Sequence, residues 1–171
     1  MVLRYEIDYL SKSGNTKKLA DAIENLLPVR DTEIIDLLQD GATTDADIYL
    51  LVFSFNKGAV PLAVMEALER LEGKTLLLFV TFGAGDSVDY QMVLQQKIEP
   101  FLPTVCEYRG MFLCKGAFPD TVIAAAEEKL KQDPENEYAE MVHTCCEQAM
   151  GHPNQTDLEN AQTFVRNKLG L

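Results

Sequence analysis

The sequence predicts an α/β fold: an open parallel sheet of five strands with helices on both faces. Three observations lead there. Residues 48–53 and 75–82 are almost wholly apolar, as strands buried on both faces are. Strand candidates alternate with amphipathic helical patterns, the arrangement of right-handed βαβ units. The chain has 171 residues, 47% of them hydrophobic, enough for one core without disulfides or metals. A single domain over 1–171 is expected, with a helical insertion at 116–153 before the last helix.

The elements follow in order. Strand candidates cover roughly 4–10, 32–37, 48–53, 75–82 and 105–114. After the first, Leu19, Ala20, Ile23, Leu26 and Leu27 recur at helical spacing, and Pro28 stops the run. After the third, Pro61 suits a first helical turn. Leu62, Met65, Leu68 and Leu71 form the stripe, and Gly73 lies at the exit. After the fourth, Tyr90, Leu94 and Ile98 share one side. The rest is helical. Ile123, Ala126 and Leu130 mark one helix. Tyr138, Met141, Val142, Cys145 and Ala149 mark the next, with Cys145 read as a core residue. His152 and Pro153 fall in a helix break, where His152 reads as a turn residue. Thr156 and Glu159 fit a capping box for a last helix turning Leu158, Ala161, Phe164, Val165 and Leu169 inward.

Charge narrows the function. Fifteen basic and 27 acidic residues give a net −12. That argues against nucleic acid, whose phosphates need clustered Lys and Arg, and against anionic membrane surfaces. The acids are spread along the chain and are densest over 127–147, which reads as a solvated helical face. The four cysteines, Cys106, Cys114, Cys145 and Cys146, form no C-x-x-C pair. A disulfide framework or zinc knuckle is therefore not expected. Nor does an apolar run reach the ~20 residues of a membrane span. The expectation is a soluble, cytoplasmic protein with reduced thiols.

Ligands of such sheets bind beyond the carboxyl ends of the strands, so three loops matter. The first, Ser11-Lys12-Ser13-Gly14-Asn15-Thr16, joins a strand to a helix start. Its Gly lets backbone approach a ligand closely. The helix start offers unpaired N–H donors and a positive dipole end, together an anion cradle. A plain helix cap is the alternative, but this loop holds more hydroxyls than a cap needs. No Walker loop and no G-x-G-x-x-G occur. The second loop holds Ser54, Phe55, Asn56, Lys57 and Gly58. The third holds Thr81, Phe82, Gly83, Gly85 and Asp86. Each pairs an aromatic with glycine at a strand end, which suits a flat aromatic ligand between them. Taken singly, Phe55 and Phe82 read as core residues.

Residues 5–16, a strand running into Ser11-x-Ser13-Gly14-Asn15-Thr16, resemble the FMN phosphate loop of flavodoxins. Residues 77–87, ending Gly83-x-Gly85-Asp86-Ser87, are similar to their fourth strand and the loop after it. The resemblance implies strand order 2-1-3-4-5 and non-covalent FMN. Ser11, Ser13, Asn15 and Thr16 would hold the phosphate, with backbone help from Lys12 and Gly14. The second and third loops would flank the isoalloxazine. The chain has no Trp, where many flavodoxins carry one in the second loop, and Phe55 stands in that region. Tyr90 lies one residue beyond the family's usual stacking tyrosine. Gly58 is the candidate for the family's peptide flip.

The resulting expectation is a one-electron carrier whose negative surface docks on the basic face of a redox partner protein. The rivals are an NAD(P)H-dependent reductase of quinones or similar small molecules and a flavin-free interaction domain. His143, Cys145 and Cys146 do not suit a metal, because adjacent cysteines cannot both lie beside His143 on one helix.

Overall fold

The computed structural model describes residues 2–40, 45–55, 59–85 and 88–171, with the side chain of Tyr90 outside the description. Five strands, β1 (Tyr5–Leu10), β2 (Thr32–Asp36), β3 (Ile48–Ser54), β4 (Thr75–Phe82) and β5 (Glu107–Lys115), form one sheet of order 2-1-3-4-5. Every pairing is parallel. The helices are α1 (Asn15–Glu24), α2 (Leu62–Glu69), α3 (Val88–Ile98), α4 (Asp120–Gln132), α5 (Glu137–Ala149) and α6 (Gln155–Leu169).

Alternation along the strands builds two apolar layers. Tyr49, Leu51 and Phe53 of β3, with Leu76, Leu78 and Val80 of β4, face α2 and α3. Ile48, Leu50 and Val52, with Leu77 and Phe79, face α1 and α6. The central strands are thus apolar on both sides, which is why they read as unbroken apolar runs. Phe79, Phe112 and Phe164 add ring contacts, the first and last meeting edge-on with centroids 5.7 Å apart. Helices α4 and α5 pack mainly on each other.

Several local expectations shift. The α6 capping box uses Asn154 and Asp157, not Thr156 and Glu159: Asn154 Oδ1 accepts from Asp157 N at 3.1 Å, and Asp157 Oδ2 accepts from Asn154 N at 2.8 Å. The helix begins two residues earlier than the Thr–Glu pair requires, so Thr156 lies within its first turn. In α2 the buried residues are Val64, Ala67 and Leu68, while Leu62 is exposed at the helix start. In α5 the inward residues are Ala139, Cys146 and Ala149. Tyr138 and Met141 are exposed, because α5 has one helix to pack on rather than a sheet. Cys146, not Cys145, is thus the core cysteine.

His152 is more than a turn residue. Its Nδ1 lies 2.6 Å from Asp157 Oδ2, and its carbonyl accepts from Ala117 N at 2.8 Å. It ties the start of α6 to the segment leaving β5. Among the described residues no helix is long and apolar enough to cross a membrane, and no three His, Cys, Asp or Glu converge as a metal site.

Candidate functional site

At the carboxyl end of the sheet lies a crevice of about 210 Å³. Its lining brings together Lys12, Ser13, Asn15 and Thr16 from the first loop, Ser54 from the end of β3, and Thr81 and Gly83 from the end of β4. It stands where strand order turns from β1 outward in both directions, β2 to one side and β3 to the other. That is the switch point at which open α/β sheets bind ligands.

The first loop is shaped for close approach. Gly14 caps α1 in the left-handed region, φ 81°, a conformation L side chains rarely adopt. No side chain caps the helix, so its first N–H groups keep their donors. Asn15 Nδ2 donates to Ser13 Oγ at 3.4 Å and to the Ala117 carbonyl at 3.3 Å. Ser13 oxygen is therefore an acceptor there, and its own O–H remains to donate. Ser11 Oγ is buried and has no hydrogen-bond partner. A buried hydroxyl left unbonded costs about 1–3 kcal/mol; Ser11 and Gly14 belong to the first loop but are not among the residues that line the crevice.

Thr81 is the floor of the crevice. Its Oγ1 lies 3.0 Å from Thr16 Oγ1, and both residues are buried. Two hydroxyls share one mutual bond, which leaves one O–H for a ligand. Its carbonyl accepts from Phe55 N at 2.8 Å, fixing the second loop to the third. Thr16→Val leaves Thr81 hydroxyl buried without this partner. We expect chemical denaturation to show a loss of about 1–3 kcal/mol.

Other sequence candidates lie elsewhere or outside the description. Phe55 and Phe82 are core residues, 6% and 2% exposed, so their rings pack inward beneath the loops. Gly85 has φ 82° in the third loop. Asn56, Lys57, Gly58, Asp86 and the side chain of Tyr90 lie outside the described residues.

The sequence reading missed one wall. Gly116, Ala117, Phe118 and Pro119, directly after β5, line the crevice opposite the first loop. A Cβ on Gly83 would stand 2.4–2.8 Å from the tip of the Phe118 ring, so the glycine admits the ring edge. The signal was present: an aromatic beside a glycine at a strand end, the same pattern used for the second and third loops. It was assigned to the helical insertion instead.

Below the crevice, Glu6 and Asp8 are buried on the face of β1 that also carries Leu10, a crevice residue. Neither carboxyl oxygen of Asp8 has a hydrogen-bond partner, and its lateral neighbours are Ile35 and Leu51. Burial, reinforced by the charge of Glu6, pushes the Asp8 carboxyl up to about 8. It is therefore largely protonated at neutral pH.

Comparison with known proteins agrees with this geometry. The chain is 30% identical over 166 residues to the flavodoxin-like domain-containing protein BilS of Clostridioides difficile (strain CD3), covering 94% of this chain and 93% of that one. The Trp repressor binding protein of Bacillus subtilis superposes with a TM-score of 0.53 at 10% identity, over 95% of this chain and 97% of that one. A Lactobacillus acidophilus flavoprotein in complex with FMN superposes at 0.50 and 16% identity, over 66% of this chain and 93% of that one. A model of the flavodoxin domain matches residues 6–166, from β1 into the last helix. The chain belongs to the flavodoxin domain family.

Proposed function

We propose that this protein binds FMN by its phosphate at residues 11–16 and carries electrons one at a time to a partner protein. The observation that carries the reading is the buried, unbonded Ser11 hydroxyl at the head of a loop whose helix start is also uncapped. Family membership supports it, as does the FMN complex of the Lactobacillus acidophilus flavoprotein. FMN, when bound, supplies reversible one- and two-electron redox chemistry.

The rest is the work of this chain's residues. The α1 N–H groups and the Ser11 and Ser13 hydroxyls bind an anion, and Asn15 orients Ser13. The Thr16–Thr81 pair donates one further O–H. Leu10, Pro61 and Phe118 exclude water from the crevice. Its volume of about 210 Å³ is below the ~300–1,000 Å³ of a site enclosing a whole drug-sized ligand. It therefore holds one end of the nucleotide and leaves the rest toward the second and third loops. Among the described lining residues Lys12 is the one ionisable side chain.

Stepwise reduction of the FMN-loaded protein is expected to show two separated one-electron stages, with no NADPH or NADH oxidation in the absence of a partner. Rapid nicotinamide oxidation by the protein alone would replace the carrier with a reductase. Protein that stays colourless after incubation with FMN would remove both.

A further inference from the structure

Among the described residues that line the crevice, Phe118 carries the one aromatic ring. The aromatics at the ends of β3 and β4 do not serve there, because Phe55 and Phe82 belong to the core beneath the loops. Phe118 is half-buried instead and borders the crevice directly.

Local sequence fixes where that ring stands. Pro119 follows it, and a proline disfavours the helical region for the residue before it. Helix α4 accordingly begins only at Asp120, with Pro119 as its cap. The backbone preceding Phe118 is held from three directions. Gly116 N donates to the Phe82 carbonyl at 2.9 Å, and Ala117 N donates to the His152 carbonyl at 2.8 Å. The Ala117 carbonyl accepts from Asn15 Nδ2 at 3.3 Å. A Cβ on Gly116 would stand 2.9 Å from Thr81 Cβ, so this glycine lets the segment lie close against the crevice floor. The ring then reaches Gly83 of the third loop, where any side chain would displace it. A ring held in place before a ligand arrives loses little freedom on binding.

The chemistry of the ring decides which part of a ligand it meets. A phenyl group offers no hydrogen-bond donor and no positive charge to a phosphate, and its face is weakly negative. It gains most against another flat ring. The polar first loop and Phe118 stand on opposite sides of one crevice. The tip of the ring lies at the third loop, toward which a ligand too large for the crevice must extend.

We infer that Phe118 is a flavin-contacting residue, whose ring meets the flat part of the ligand where it leaves the phosphate cradle. The inference rests on the FMN reading above and adds to it a contact from beyond β5, outside the three loops.

The test measures FMN binding to the purified flavin-free protein by flavin fluorescence, in chloride and in inorganic phosphate of equal ionic strength. Phosphate alone competes for the first loop and has no flat part to meet Phe118. Phe118→Ala should raise the FMN dissociation constant roughly tenfold or more and leave the inhibition constant of phosphate unchanged. Phe118→Leu keeps apolar bulk without the flat face and should weaken FMN by about threefold or more, whereas Phe118→Tyr should stay within about twofold of the unsubstituted protein. Circular dichroism of each flavin-free variant checks that the fold is intact. Gly83→Ala displaces the ring without removing it, so it should weaken FMN by itself and add nothing to Phe118→Ala. Unchanged FMN affinity in Phe118→Ala, or Phe118→Leu binding as tightly as the unsubstituted protein, would overturn the inference, since any apolar cover would then suffice. So would an equal loss of phosphate affinity, which would make Phe118 a support of the cradle. Full additivity of Gly83→Ala and Phe118→Ala would overturn it as well. FMN binding that phosphate does not inhibit in the unsubstituted protein is a separate failure, that of the phosphate-loop reading itself.

Discussion

Asp8→Asn is expected to make the protein more stable above pH 8 and to flatten its stability between about pH 4 and 8. Asp8 is fully buried on β1, its oxygens are unbonded, and burial first and Glu6 second raise its carboxyl from 3.8 to about 8. A raised carboxyl means that the folded state binds more protons than the unfolded chain across that interval. Stability therefore falls as pH rises. The contribution is fully present below about pH 4, erodes through the interval, and is lost once pH passes the folded value near 8. Each tenfold step in proton affinity corresponds to about 1.4 kcal/mol, so the loss is on the order of 6 kcal/mol at most. An Asn of the same shape does not ionise. Urea denaturation of both proteins at pH 5, 7 and 9 reads the difference. Curves that stay parallel across the range would mean that Asp8 ionises freely. The general acid excess also weakens the fold as pH rises, but it is common to both proteins and drops out of the comparison.

Ser11→Ala should move two measurements in opposite directions. In the flavin-free protein it removes a buried hydroxyl that bonds to nothing. Thermal unfolding should therefore be unchanged or shifted upward, because an unsatisfied buried group costs about 1–3 kcal/mol. For FMN the same change removes a donor from the phosphate cradle. A charge-assisted hydrogen bond is worth about 1.5–3 kcal/mol, and the dissociation constant should rise roughly ten- to a hundredfold. A residue that only shaped the loop would lower both. A spare hydroxyl would leave FMN binding as it was.

The fold was largely legible because the central strands state it. The runs over 48–53 and 75–82 are apolar on both faces, and only a covered parallel sheet buries such strands. The first loop was legible for a related reason: Gly14 and the hydroxyls around it concentrate unusual chemistry at one strand end. The helical hairpin was harder. Its periodicity fixed where α4 and α5 run but not which face turns inward, since that depends on what lies opposite. In α5 this moved Tyr138 outside and Cys146 inside. The α6 cap was misplaced because Asn154-x-x-Asp157 and Thr156-x-x-Glu159 carry the same pattern two residues apart. Only the helix start decides between them.

The Phe118 wall and the Asp8 carboxyl show two other limits. Phe118 meets Gly83 across 35 positions of sequence, a contact set by the β4–β5 pairing and the turn after it. Asp8 reads in sequence as the polar half of an interrupted strand. Its burial beside Glu6, beneath the end of β1, follows only from what covers that face. Neither side chain announces its environment locally.

The most direct test of the account is the affinity of the purified protein for FMN against riboflavin, measured by quenching of flavin fluorescence. The two ligands share the ring system and the polyol chain and differ only in the phosphate. Binding centred on residues 11–16 predicts that FMN binds in the micromolar range or tighter and riboflavin at least a hundredfold more weakly, a difference of about 2.7 kcal/mol or more. Equal affinities, or no binding of FMN at tens of micromolar, would contradict it.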